Sequence, residues 1–273
     1  MVRKSIYEIL EDKVIEPNVA FSRIRYQFDH PLHRCLFSND NPLTLMELVD
    51  NCLFEILPIR GSCIDLRDLF RDIDIELDGD NKTFDDVFRF MEFILCVVDS
   101  IPDKDEYMFE EGYQKTVFSK ILETIDTILE ETNHKIVSDK KGRRIIVSSD
   151  AKSELAAELV DESDMSLEIL SYNHYSNKGN IAQKKMILKT LGDYIEPKIK
   201  GDKGKLSDTI SFLLNNFDIR HNNRAGSNLR NYIVEMTDED LECWYDKTYS
   251  CIVAYIIEED VSSVYKELKR YKK

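Results

Sequence analysis

Five consecutive polar or cationic side chains stand out near residue 220 of this acidic chain. The segment from Asp218 to Arg224, called the polar loop below, reads Asp-Ile-Arg-His-Asn-Asn-Arg. Two guanidinium groups, one imidazole and two amides cannot all be buried without partners, because each unpaired polar group costs roughly 1–3 kcal/mol. The polar loop is therefore either exposed to solvent or a site. In the alternative structural interpretation, Arg220, His221 and Asn222 cap helix ends and bond the carbonyls left free by the preceding helix.

The charge of the chain is distributed unevenly around this segment. The formal net charge is −15, which argues against general coating of nucleic acid, because phosphate binding is dominated by Lys and Arg. From Lys178 to Arg230, however, there are 11 Lys or Arg against 5 Asp or Glu. A cationic strip of this kind can hold a polyanion, while the acidic remainder keeps non-specific binding low. The alternative is that the strip is a solvated helix face followed by a loop.

Two helices are predicted to position the polar loop. Before it, apolar residues at helical spacing predict one amphipathic helix, with Ser207 as its N-cap. After it, Thr237 and Asp240 form a pattern similar to a capping box and predict the start of a long helix. The two faces consist of Leu206, Ile210, Leu213, Leu214 and Phe217, and of Leu241, Trp244, Tyr245, Thr248, Ile252, Tyr255 and Ile256. We expect these helices to pack together, with the polar loop between them.

The rest of the chain is predicted to be mainly α-helical. Apolar stripes predict N-terminal helices, the first of them starting near Pro42. Two β-branched runs flank a turn that contains Gly142 and predict one β-hairpin over 134–149. Asp150 is the predicted cap of the next helix. We therefore predict a helical N-terminal domain over 1–133, a hairpin or hinge over 134–149, and a C-terminal helical domain over 150–273.

Several functional classes are excluded or reduced to minor hypotheses. The sequence has no Gly-rich phosphate loop, no Gly-x-Ser-x-Gly elbow and no His-Glu-x-x-His motif, so ordinary NTPase, hydrolase and zinc-protease functions are not indicated. Six scattered cysteines lack a CxxC pair, and we predict no metal and no cofactor. The segment Asp74–Asp85 matches the spacing of a calcium-binding loop, except that Asn81 and Asp85 replace its usual apolar residue and glutamate. No membrane helix or signal peptide is indicated, so we expect a cytoplasmic protein.

Short motifs over about residues 150 to 260 resemble a known family. They are the run Glu168–Tyr175, the Lys-rich helix around Lys184 and Lys185, the phrase Leu213–Asn223, and the run Glu242–Asp246. These motifs are similar to the C-terminal modules of bacterial abortive-infection proteins, which defend against phage and resemble the HEPN superfamily of helical bundles. The resemblance implies a HEPN-like bundle, an RNA-directed function and a homodimer. Many members of that superfamily are metal-independent ribonucleases.

The resemblance assigns roles to the polar loop. Metal-free RNA cleavage needs an acid, a base and a cation for the phosphate, and His and Arg supply these functions. Arg220, His221 and Arg224 are the predicted catalytic residues. The predicted RNA-binding residues are Asn222, Asn223, His174, Lys184 and Lys185. The family motif ends in His, whereas Ala225 stands here, so His174 or a second subunit's His221 would have to be the partner.

A second hypothesis places the protein outside the enzymes. It describes a catalytically silent helical protein–protein interaction module, in which the Arg-His-Asn junction is structural and an acidic surface binds a basic partner. Loss of His221 would then lower the stability of the protein, while any binding would survive in the fraction that folds. Loss of the same residue would abolish the activity of a ribonuclease.

Overall fold

The fold is mainly α-helical with one short β-hairpin, which confirms the predicted fold class. The computed structural model describes residues 14–30, 44–100, 113–202 and 204–271. The chain divides into two compact units, Met1–Ile136 (unit 1) and Val137–Lys273 (unit 2). The division falls inside the hairpin segment, and the two units are described separately below.

Unit 1 contains helices of very different lengths. The α-helices are α1 (Pro17–Phe28), α2 (Leu45–Leu48), α3 (Leu66–Asp72), α4 (Phe84–Ser100) and α5 (Tyr113–Glu131). A short π-helical turn (Val49–Leu53) and a 3₁₀ turn (Phe54–Ile56) continue α2. Thr44 caps α2 with a complete capping box. The predicted helix start near Pro42 lies outside the described residues.

Aromatic rings build much of the core of unit 1. Phe90 of α4 stacks on Phe21 at a ring-centroid distance of 5.0 Å and meets Phe28 edge-on at 5.6 Å. On the same helix, Phe93 meets Phe70 edge-on at 4.9 Å. Such ring pairs contribute stability beyond that of the apolar area they bury. They pack α1 and α3 against α4.

Protein cations hold the acidic connector between α3 and α4. The Lys82 ammonium donates to the carbonyl oxygens of Glu76 and Asp78 at 2.6 and 2.7 Å. Arg89 lies 3.0 Å from the Asp74 carboxylate, and Arg25 lies 3.2 Å from that of Asp78. Two of the four carboxylates that the calcium hypothesis requires as ligands, those of Asp74 and Asp78, are therefore engaged by arginine side chains.

Unit 2 begins within the hairpin and continues with a series of helices. Strands β1 (His134–Ser138) and β2 (Arg144–Ser148) form a two-stranded sheet. Gly142 at the turn has a φ of +75°, a conformation that favours glycine. The helices are α6 (Ala151–Glu158), α7 (Ser163–Ser171), α8 (Ile181–Ile199), α9 (Lys205–Asn216), α10 (Asn231–Val234) and α11 (Asp238–Tyr271), with 3₁₀ turns at Tyr175–Asn177 and Gly226–Asn228.

Helix α11 supplies one side of the core of unit 2. Leu241, Tyr245 and Ile252 of this helix are fully buried and belong to the same apolar cluster as Leu188 of α8 and Leu214 of α9. Helices α8 and α9 therefore pack on α11, and the packing of α9 on α11 confirms the prediction for the two helices that flank the polar loop. The polar loop connects α9 to the segment that leads into α11, so its ends are fixed by this packing.

The predicted helix starts can be compared with the observed caps. The Asp150 carboxylate accepts the Ser153 N–H at 3.0 Å and caps α6, as predicted. Thr237 and Asp240 bond each other reciprocally before α11, which confirms the capping pattern. The prediction for Ser207 is wrong: α9 begins one turn earlier, with Gly204 as N-cap, and Ser207 is buried inside the helix. No described helix has the length and apolar character that a bilayer crossing requires.

Candidate functional site

A reciprocal pair of side-chain bonds closes the polar loop. The Asp218 N–H donates to Asn223 Oδ1 and the Asn223 N–H donates to Asp218 Oδ1, both at 2.8 Å. Asn223 Nδ2 also donates to the carbonyl of Asn228 at 3.0 Å. Asp218 has a φ of +62°, which Asp tolerates better than most residues, and it ends the helical path of α9. Asn223 is 1% exposed, so its side chain shapes the loop and is withdrawn from solvent.

Arg220 turns back onto helix α8. Its Nη2 atom lies 3.4 Å from Asp193 Oδ1 and 3.3 Å from Glu196 Oε2. A Cβ added at Gly192 would lie 3.5 Å from this atom and only 2.9 Å from a Leu214 methyl. The glycine therefore lets α9 and the Arg220 side chain approach the backbone of α8. The Arg220 side chain is 12% exposed, and its charge faces two carboxylates.

Arg224 and His221 lie in different surroundings on the same loop. Arg224 Nη2 donates to Asp238 Oδ1 at 2.8 Å, at the N-terminus of α11. His221 and Asn222 are exposed. The His221 ring forms no hydrogen bond or ion pair with any residue that the structure describes. Of the three predicted catalytic residues, His221 is therefore the one that faces solvent.

The two lysines of the Lys-rich helix α8 also have carboxylate partners. Lys185 Nζ donates to Asp218 Oδ2 at 2.8 Å and so ties α8 to the polar loop. Lys184 is buried and lies 2.7 Å from both Glu242 Oε1 and Asp246 Oδ1 of α11. Asp246 also accepts the Tyr172 hydroxyl at 2.8 Å. These bonds join α7, α8 and α11 in one polar network.

The same network changes the acidity of a carboxyl group. Burial raises the pKa of Glu242, but the bonds from the Lys184 ammonium and the Gly179 N–H outweigh burial and hold it below its ordinary value. A lowered pKa means that the charged form of Glu242 is favoured in the folded protein. The Lys184 network is therefore stabilised at neutral pH by an ionised carboxylate.

Carboxylates outnumber cations around the predicted site. Four predicted cations, Arg220, Arg224, Lys184 and Lys185, face six carboxylates, those of Asp193, Glu196, Asp218, Asp238, Glu242 and Asp246. A phosphate that binds these four cations would have to displace their carboxylate partners. The arrangement can hold α8, α9 and α11 together.

His174 lies outside the polar loop, in a cleft of about 490 Å³. Its Nδ1 atom is 2.7 Å from the Ser176 hydroxyl, and its backbone bridges to Val147 of β2. The lining of the cleft includes the hairpin tip but none of residues 218–224. At the tip, Lys140 bonds Glu168 at 2.9 Å and Arg143 bonds Asp139. Lys140 and Arg143 of the tip are thus paired within unit 2 as well.

The sequence analysis missed the carboxylates that neutralise the site. Asp238, Glu242 and Asp246 recur at every fourth position of α11, and Asp193 and Glu196 are three apart on α8. Residues three or four apart lie on the same face of a helix. This periodicity is a signal in the sequence, and it could have indicated acidic helix faces that pair with the predicted cations.

Exposed apolar side chains surround the polar loop. Phe212 and Tyr232 are 56% and 42% exposed. Both rings contact the buried ring of Phe217, at centroid distances of 6.3 and 6.0 Å. Trp244 of α11 packs on the same ring at 4.6 Å. The outer side of this small aromatic cluster therefore remains open to solvent.

No group of three or more potential metal ligands is found among the described His, Cys, Asp and Glu residues. The described cysteines form no disulfide with one another. Comparisons of the chain with protein-family models, with curated proteins and with solved structures gave no match.

Proposed function

We propose that this protein is a catalytically silent interaction protein, in which the polar loop is a structural junction of the C-terminal helical unit. The observation that carries the proposal is the pairing of Arg220, Arg224, Lys184 and Lys185 with six carboxylates of the same unit. Charged side chains that already have partners must lose them before they can bind phosphate.

The charge of unit 2 also supports a protein partner over a nucleic acid. Unit 2 has 22 Lys or Arg against 23 Asp or Glu, and unit 1 has 15 against 29. The net charges are therefore −1 and −14. Sequence-independent binding of nucleic acid is driven by excess Lys and Arg, and neither unit has that excess. The strong negative charge of unit 1 suits a basic protein partner.

The surroundings of the polar loop support the structural role. Asn215 and Asn216 donate to carbonyls of the preceding turn of α9, at 2.9 and 2.8 Å. The exposed Phe212 and Tyr232 rings next to the loop are of the kind that is enriched at protein interfaces. An apolar surface beside a rigid, carboxylate-rich junction favours protein contact.

An RNA-directed function in antiphage defence stays a prediction based on the family resemblance. The exposed His221 is the one feature that favours it. Without a second acid or base, a single histidine supplies half of the proton transfers that metal-free cleavage requires. In this alternative, the missing group would come from a partner subunit.

Cleavage of a mixed RNA pool in EDTA distinguishes the two functions. The purified protein is compared with His221→Ala after thermal melting has established that both are equally folded. We expect no cleavage by either protein. Cleavage by the wild type that is lost in His221→Ala would refute the silent role, and equal cleavage by both would identify a source other than His221.

A further inference from the structure

Helix α11 extends well past the core of unit 2. Its last residue that packs on the apolar cluster is Ile257. The helix continues to Tyr271, which adds about 21 Å at 1.5 Å per residue. Every side chain described from Asp260 to Tyr271 is exposed. The final part of α11 therefore gains no support from the core that stabilises its first half.

This extension carries an apolar stripe. The five residues recur at offsets 0, 3, 4, 7 and 10, the spacing of one face of an amphipathic helix. Their exposed fractions are 61% for Val261, 51% for Val264, 55% for Tyr265, 47% for Leu268 and 87% for Tyr271. These residues are called the terminal stripe below. A contiguous exposed apolar face of this kind marks an interaction surface, so the terminal stripe indicates a partner.

We propose that the terminal stripe is a self-association surface on which α11 of a second copy packs in the antiparallel direction. The charges along the helix select this occupant. Glu258, Glu259 and Asp260 precede the stripe, whereas the residues after Tyr265 contain five Lys or Arg and one Glu. Antiparallel packing brings the acidic end of one copy opposite the basic end of the other. Parallel packing would place the two acidic ends side by side and the two basic ends side by side.

The order of the apolar residues fits the same arrangement. With a two-fold axis between residues 264 and 265, Val261 lies level with Leu268 of the other helix, and Val264 lies level with Tyr265. Each of these apolar side chains then has an apolar neighbour in the second copy. A two-fold contact of this kind uses the same patch on both chains and closes on itself as a dimer.

The two flanks of the terminal stripe contribute opposite effects. At 100° per residue, Glu258 and Lys269 lie on one flank, and Asp260 and Glu267 lie on the other. Residues on the same flank face each other in an antiparallel pair. Glu258 of one copy therefore attracts Lys269 of the other, whereas Asp260 repels Glu267. Within one helix, Lys269 contacts the Tyr265 ring at 4.9 Å, a contact that holds its side chain beside the stripe.

This inference rests on the proposed interaction role and names its partner. The interface is short, so we expect a reversible dimer with a dissociation constant in the range of roughly 10–100 μM. Failure of the two proposals is distinguishable: RNA cleavage would refute the silent role, whereas a strictly monomeric protein would refute the self-association alone.

Sedimentation equilibrium of the full chain from about 5 to 300 μM tests the dimer. Val264→Asp should raise the dissociation constant at least about tenfold, because it places a charge in the middle of the interface. Val234→Asp is the matched control, since Val234 is also 51% exposed but lies on α10. We expect the control to dimerise as the wild type does. A wild type that stays monomeric, or a dimer that Val264→Asp does not weaken, would overturn the proposal.

Two charge variants test the antiparallel direction. Lys269→Glu should weaken the dimer by about 2- to 30-fold, because both symmetric attractions with Glu258 become repulsions. Glu267→Lys should strengthen it, because it replaces repulsion from Asp260 with attraction. A dimer that Glu267→Lys weakens would be parallel and would contradict the antiparallel arrangement. Raising the salt concentration should reduce both effects.

Discussion

Replacement of Asn223 by Ala tests whether the polar loop is a structural junction. The Asn223 side chain accepts the Asp218 N–H at 2.8 Å and donates to the Asn228 carbonyl at 3.0 Å. Its neighbour Asn222 is exposed, whereas Asn223 is 1% exposed. Asn222→Ala is therefore a matched control that makes the same chemical change one residue away.

The expected magnitude follows from the groups that the substitution leaves without a partner. The buried Asp218 N–H loses its acceptor, which costs about 1–3 kcal/mol. The Asn228 residue is exposed, so its carbonyl can bond water, and that loss adds little. We expect Asn223→Ala to lower the free energy of unfolding by about 2 kcal/mol, and Asn222→Ala by less than about 0.5 kcal/mol.

Urea unfolding followed by tryptophan fluorescence measures this difference in stability within unit 2. Trp244 is the single tryptophan of the chain, and it packs on Phe217, the residue that precedes the polar loop. Its fluorescence therefore reports unfolding of unit 2. Equal stabilities of the two variants would show that the reciprocal bonds do not hold the loop and would refute the structural role.

Three further outcomes are expected from the same structure. Gly192→Ala should destabilise unit 2 by roughly 1–3 kcal/mol in urea unfolding, because the new Cβ would lie 2.9 Å from a Leu214 methyl. Unchanged stability would mean that α8 and α9 can move apart at little cost. The lowered pKa of Glu242 stabilises the folded protein above the unfolded-state pKa, and this stabilisation is lost as pH falls through the folded-state pKa. The free energy of unfolding measured from pH 7 to 3 should therefore depend less steeply on pH in Glu242→Gln than in the wild type. Calcium at ~1 mM should leave the melting temperature unchanged, because Arg89 and Arg25 already pair with the Asp74 and Asp78 carboxylates, and a rise would instead indicate binding.

The helices around the polar loop could be predicted because their signals are local. The apolar spacing of Ile210, Leu213 and Leu214 requires one buried face, and the Thr237 cap follows from bonds within one turn. The start of α9 was placed wrongly at Ser207, since a serine can cap a helix or lie buried within it. Its hydroxyl donates to the Gly204 carbonyl at 2.8 Å, so the serine bonds the backbone of the first turn and does not cap the helix.

The neutralisation of the candidate site could not be predicted from local patterns. Lys184 meets Asp246 across 62 residues, and Lys185 meets Asp218 across 33. Such pairs depend on how the helices pack, which a charge count along the chain does not reveal. The cationic strip from Lys178 to Arg230 is real in the sequence. In the folded unit, however, its key side chains face carboxylates that come from α8, α11 and the polar loop itself.

The affinity of the full chain for a labelled single-stranded RNA tests whether the cations of the candidate site are engaged within the protein. Fluorescence anisotropy is measured over a series of salt concentrations for the wild type, Arg220→Ala and Arg224→Ala. If the four cations are engaged within the protein, no saturable binding occurs at moderate salt. Binding whose log–log salt slope approaches about −2.8, the value for four phosphate contacts, and falls by about 0.7 in each variant would contradict the account.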